Sequence, residues 1–210
     1  MLYFSVMYST VIRSLLVGGL VAPLAIAATG SSPGTAEASP CDSPQARAFD
    51  FWIGDWTIDQ QFRDRDGSWI RLPAKTSVSS ILVGCAILER WEGEVQFFWE
   101  DMEAPELLQA LSVRAYDPTS ASWRIHWMDT RSPRFGEPYV GGFHGSRGEF
   151  RRTTSSPDGE RVSRIVFTRI TEDSLHWELT VSSDEGETWL PLWIMKMRRE
   201  GTASAPGAEP

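Results

Sequence analysis

Large apolar side chains recur at every second residue in several short segments of this chain. That period constrains the fold more than any other feature. In Ser122–Met128, Trp123, Ile125 and Trp127 share one side, while Arg124, His126 and Met128 share the other. In Leu175–Val181, Leu175, Trp177, Leu179 and Val181 face away from His176, Glu178 and Thr180. Trp189, Trp193, Met195 and Met197 repeat the pattern near the end, and Leu107, Gln109, Leu111, Val113 and Ala115 repeat it upstream. A period of two is that of a strand, whose successive side chains point to opposite faces of a sheet. A helix would instead repeat every 3.6 residues.

Turn signals divide these segments: Asp64–Gly67, Val83–Gly84, Tyr116–Thr119, Gly141–Gly142, Ser156–Gly159, Glu172–Ser174 and Ser183–Gly186. Such spacing predicts an all-β domain of about eight to ten strands joined as antiparallel hairpins. No long helical period intervenes, which excludes a parallel sheet with crossover helices. Sequential hairpins of this kind close into an up-and-down barrel or pack as a meandering sandwich.

The ends read differently. Residues 1–28 have the form of a signal peptide, with a single charge at Arg13, an apolar stretch from Ser14 to Ala28 and an Ala25-Ile26-Ala27 cleavage site. The apolar run falls short of the ~20 residues that a span needs and contains Pro23, so no stable membrane span is expected after cleavage. Residues 29–48 read as a linker, 49–199 as the folded domain and 200–210 as a disordered tail. The expected location is secreted or periplasmic. Export makes the two cysteines, Cys41 and Cys85, an expected disulfide, the alternative being two free thiols with Cys85 in an apolar strand. A net charge of -8 argues against nucleic acid or an anionic membrane as partner. Nothing in the chain indicates an oligomeric state.

Two motifs carry a resemblance. Phe49-Asp-Phe-Trp-Ile-Gly-Asp-Trp56 contains a Gly54-x-Trp56 step. In lipocalin-like barrels such a step lets the first strand bend while the tryptophan plugs the barrel base. An arginine from a late strand packs over that ring as a cation–π pair, and Arg169 and Arg198 are the candidates here. Together with Gly84–Trp91, Tyr116-Asp117, Trp123-x-x-x-Trp127-Met-Asp129 and the closing Ser-x-Asp-x-Gly-x-Thr-Trp, the opening string resembles a family of exported bacterial proteins. That family is classed as a domain of unknown function with a calycin-like, lipocalin-like β-barrel. The resemblance covers nearly all of residues 41–199. It implies a fold and a compartment, and no activity or catalytic residue. The second motif, Ser182–Trp189, matches an Asp box. Its chemistry is that of a tight hairpin, in which Asp184 accepts backbone N–H groups and Gly186 takes a positive φ. One box in a chain this short excludes a sialidase propeller.

Ten tryptophans dominate the candidate site. Trp91, Trp99, Trp123, Trp127, Trp177 and Trp193 would line a barrel cavity for a small hydrophobic or aromatic molecule, with Trp56 beneath and Arg124 and His126 as polar candidates. The bland alternative is that the rings fill a small core. An acid–base enzyme of the calycin type, an isomerase or cyclase, would draw on His126, Asp129, Glu89 and Arg124. Inward-facing Trp123 and Trp127 would turn Arg124 and His126 outward. The carboxylates Glu92, Glu94, Glu100, Asp101, Glu103 and Glu106 either rim a mouth or form a solvated loop. No metal site is expected, because the three histidines lie in separate segments. No cofactor is implied; a haem-binding barrel would need His126 or His144 as axial ligand. Binding protein, calycin-type enzyme and filled-core interaction module all remain open at this point.

Overall fold

The computed structural model describes residues 41–98, 102–156 and 159–201. The signal-like segment, the linker up to residue 40, Trp99, Glu100, Asp101 and the tail beyond residue 201 lie outside the described residues.

The alternating segments become ten strands: β1 (Gly54–Arg63), β2 (Trp69–Ile81), β3 (Ala86–Val95), β4 (Glu106–Asp117), β5 (Ser122–Asp129), β6 (Tyr139–His144), β7 (Arg147–Ser156), β8 (Gly159–Thr168), β9 (Ser174–Ser182) and β10 (Leu190–Arg199). Each pairs antiparallel with the next, and β10 returns to pair with β1, so the sheet closes into an up-and-down, calycin-like barrel. Closure leaves no unpaired sheet edge. Odd-numbered strands run from one end, called the floor, to the other, the mouth; even-numbered strands run back.

The floor is closed by the chain ahead of β1. A short helical turn over Asp50–Trp52 turns Phe49 and Trp52 up into the barrel, Trp52 beside Trp56 with ring centres 6.3 Å apart, and all three are fully buried. Phe49 meets Trp123 and Phe143 edge-on at 4.9 Å, and Phe167 edge-on at 5.3 Å. Edge-to-face packing of this kind is what the ring quadrupoles favour. The Cys41–Cys85 disulfide ties this closing segment to the β2–β3 turn, with a Cα–Cα distance of 4.9 Å.

The arginine over Trp56 is neither Arg169 nor Arg198 but Arg199, with its guanidinium 4.2 Å above the ring. Register explains the difference. Arg199 pairs with Trp56 and continues the inward series Trp193, Met195 and Met197, whereas Arg198 pairs with Thr57 on the outer face. Arg169 occupies a positive-φ position (φ 50°) between β8 and β9. Arg199 also donates to the carbonyls of Ile53 (2.6 Å), Phe51 (2.8 Å) and Glu172 (2.8 Å), holding the closing segment against the last strand.

Three further expectations are corrected. In β4 the inward face is Leu108, Ala110, Ser112 and Arg114; Leu107 and Leu111 stand exposed at 66% and 38%. The apolar count favoured the wrong face because this strand carries polar groups inward. Gly141 and Gly142 form no turn but lie within β6. A Cβ on Gly141 would overlap the Glu149 carbonyl oxygen and lie 2.8 Å from the Phe150 Cα, so glycine allows β7 to approach closely. Trp189 does not share the inner face with Trp193. A register shift between Pro191 and Trp193 inserts a residue and reverses the faces. Trp189 therefore stacks outside the barrel, with Arg164 3.8 Å from its ring centre and Arg151 5.5 Å away.

Candidate functional site

Ten strands enclose a wider interior than the eight that side chains just fill. Here aromatic rings fill the floor and leave a cavity of about 250 Å³ above it. Its walls include Trp91 from β3, Trp127 from β5, Trp177 from β9 and Trp193 from β10. Trp193 is the hub. It meets Trp177 at 5.1 Å, Trp91 at 5.7 Å and Trp127 at 6.4 Å. Its indole N–H donates to Gln60 Oε1 (3.0 Å), and the Gln60 amide donates in turn to the Glu94 carbonyl (2.7 Å). Gln60 is wholly buried yet satisfied on both sides, so it locks the hub ring without leaving a polar debt. Phe62 and Phe97 close much of the mouth beside it, Phe97 lying 5.8 Å from Trp193.

The cavity is not purely apolar. Glu89 projects inward from β3, only 2% exposed. Arg114 of β4 donates to its Oε2 (2.6 Å), and the Thr76 hydroxyl of β2 donates to its Oε1 (3.1 Å). The Arg114 guanidinium stacks 4.6 Å from the Trp52 ring centre and 5.3 Å from that of Phe49. Its Nε and Nη1 have no hydrogen-bond partner, nor do Ser112 Oγ, Trp91 Nε1 or Trp52 Nε1, all buried. Nearer the mouth, Arg152 stacks 4.4 Å from the Tyr139 ring, with its Nε likewise unpartnered. Asp129 accepts from the Trp127 indole N–H (3.0 Å) and from the backbone amides of Arg131 and Ser132 (3.0 Å each).

The candidates drawn from the sequence thus separate. Trp91, Trp127, Trp177 and Trp193 line the cavity. Trp56 and Trp123 belong to the floor: Trp56 lies under Arg199, and Trp123 packs on Phe49 and donates to the Gln45 carbonyl (2.9 Å). Arg124 and His126 lie on the outer face of β5, Arg124 toward Asp117 (3.9 Å) and His126 against Phe135. His144 is exposed at the floor end of β6. Neither His126 nor His144 faces the cavity, so neither stands where the iron of a haem inside the barrel would need it. Among the described residues, no group of three or more His, Cys, Asp or Glu side chains converges. Of the acid–base candidates, Glu89 and Asp129 border the cavity. Arg114, Ser112, Trp52 and Arg152 were not anticipated. A signal for Arg114 was present: a lone carboxylate between Ile87 and Trp91 on an apolar strand face calls for a buried cation on a neighbouring strand.

A second, larger concavity of about 630 Å³ lies on the outer face over β2–β5, lined by Lys75, Arg90, Glu92 and Met128 among others. Glu92 there is already engaged by Lys75 (3.2 Å) and Gln109 (2.7 Å), whose hydrogen bonds hold its pKa below the usual glutamate value. It lacks the convergent unsatisfied groups of the interior.

Fold and interior together define a closed calycin-like barrel with a tryptophan-walled cavity. No family model matches the chain, and no curated protein matches it. Among the solved structures similar to it are two that differ in kind. One is an S-type phycobiliprotein lyase from Guillardia theta, at 11% identity and a TM-score of 0.43, covering 74% of this chain and 92% of that one. The other is a protein of unknown function of the DUF3598 family from Nostoc punctiforme, at 8% identity and a TM-score of 0.24, covering 75% of this chain and 99% of that one.

Proposed function

We propose that this is an exported binding protein that takes one small hydrophobic or aromatic molecule into the barrel. The observation that carries the reading is the void of about 250 Å³ walled by four tryptophans inside an otherwise packed core. An engineered apolar cavity of about 150 Å³ accepts benzene, so this one has room for one or two fused rings. Indole faces offer such a molecule large, rigid contact area. The Cys41–Cys85 disulfide supports an oxidising compartment, and hence export. Among the described residues no helix is long and apolar enough to cross a membrane.

The enzymatic alternative is less favoured because both cavity carboxylates are already committed. Glu89 is bound by Arg114 and Thr76, and Asp129 by Trp127 and two backbone amides. A general base needs a lone pair directed at the substrate. Tryptophan fluorescence tests the binding reading directly. Titration with a panel of lipids, haem and aromatic metabolites is expected to give saturable quenching by the small planar members. A flat response across the panel would overturn it.

A further inference from the structure

The cavity's unsatisfied groups are of one kind. Arg114 Nε and Nη1, Trp91 Nε1, Trp52 Nε1 and Arg152 Nε are all donors, and Ser112 Oγ can donate as well. The carboxylates that face the same space are already engaged as acceptors. Formal charge leans the same way. Among the described residues, the guanidinium groups of Arg114, Arg131 and Arg152 border the cavity against the carboxylates of Glu89 and Asp129. Buried donors left without partners are costly, and a buried guanidinium more so.

The donors also cluster. Ser112 lies directly across the β3–β4 ladder from Glu89, while Arg114 follows Ser112 by two residues on the same inward face. Trp91 stands two residues along β3 from Glu89, also inward. They form one patch at the bottom of a pocket whose upper walls are indoles. A carboxylate offers about four lone-pair sites and can accept from several of these donors at once. The two carboxylates that would attract a cation already accept two bonds at Glu89 and three at Asp129.

We infer that the ligand is a small aromatic or alicyclic monocarboxylate, its ring between the tryptophans and its carboxylate on the Arg114–Ser112–Trp91 patch. This rests on the binding reading above and narrows it to an anion. Calorimetric titration of the intact protein with 2-naphthoate and with 2-naphthamide, nearly equal in size and shape, separates the two levels. The naphthoate is expected to bind about tenfold or more tightly than the amide, the value of a charge-assisted hydrogen bond over a neutral one. Arg114→Met should remove most of that preference, read as the ratio of the two affinities within the variant. Ser112→Ala deletes only a hydroxyl and keeps the test open if Arg114→Met fails to fold; it should lower naphthoate affinity about threefold. Equal affinity for acid and amide would overturn the inference and leave the binding function standing. An acid preference that survives both substitutions would overturn its assignment to this patch. Binding of neither compound would count against the binding function itself, and the inference would fall with it.

Discussion

A carboxylate as buried as Glu89 persists inside an aromatic barrel only because a cation and a hydroxyl satisfy it. Removing one partner strands the other, which typically costs about 3–5 kcal/mol, whereas replacing both with apolar groups is often neutral. Arg114→Met alone is therefore expected to lose about 3–5 kcal/mol in urea denaturation, and Glu89→Leu/Arg114→Met to recover most of it. Additive losses in that double-variant cycle would refute the coupling. Arg199 acts differently, through one ring face and three carbonyls. Arg199→Met keeps a long apolar stem but loses every one of those bonds, for an expected cost of about 2–3 kcal/mol in the same assay. Both residues were within reach of the sequence. Extending the inward series Trp193, Met195, Met197 by one step lands on Arg199, and the unpaired Glu89 required a partner. What hid Arg114 is that a count of apolar side chains treats an inward arginine as evidence for the outer face.

Elements were legible where hydrophobic alternation is unopposed, as in β5 and β9, and misread where another force decides. In β4 the inward face combines Leu108 and Ala110 with Ser112 and Arg114 and leaves Leu107 and Leu111 outside, and in β10 a bulge reversed the parity between Trp189 and Trp193. The glycine pair of β6 read as a turn because composition alone does not distinguish a bend from a close backbone approach. The β9–β10 hairpin was read correctly from its Asp-box pattern. Asp184 accepts from the Ser182 hydroxyl (2.6 Å), the Thr188 hydroxyl and the Thr188 amide (2.9 Å), while Gly186 sits at φ 98°. Those bonds, the Ser182 hydroxyl first, lower the Asp184 pKa from 3.8 to about 2. The folded hairpin thus prefers the ionised carboxylate. Its contribution is fully present above pH 3.8 and is lost as pH falls through about 2. A titration of the Asp184 carboxyl carbon by NMR should show that low midpoint, and the protection of the Thr188 amide, its exchange relative to the intrinsic rate at each pH, should fall over the same window. Asp184→Asn should abolish that pH-dependent change in protection; its persistence in the variant would point to another group.

At the scale of the whole molecule, closure of the floor is the step that turns a sheet into a container. Ten antiparallel strands satisfy their own backbone bonds around the ring, but a barrel open at both ends would leave its aromatic interior wet. The segment Cys41–Ile53 supplies the stopper, holding Phe49 and Trp52 under the cavity that Arg114 and Trp91 line. Arg199 from the last strand, the Trp123 and Trp56 indoles and the disulfide to the β2–β3 turn all hold it. The bridge spans a sequence separation of 44 residues, for which chain entropy predicts a stabilisation of about 4 kcal/mol. In a domain of this size each kcal/mol corresponds to about 2–4 °C in Tm, so Cys41→Ser/Cys85→Ser should melt about 10 °C or more below the parent. The loss need not be spread evenly. The bridge takes no part in the ladder from β1 to β10, so its removal releases the stopper from one of its anchors. The variant should therefore lose protection first at the floor: amide exchange of Trp52 and Ile53, whose N–H groups bond within the helical turn, should accelerate well before that of the β3–β4 ladder. A loosened floor would also wet the lower cavity, so ligand affinity should fall along with floor protection, even where the fraction folded is unchanged. Uniform acceleration across all ten strands would instead show that the disulfide stabilises the barrel globally, through the unfolded chain alone.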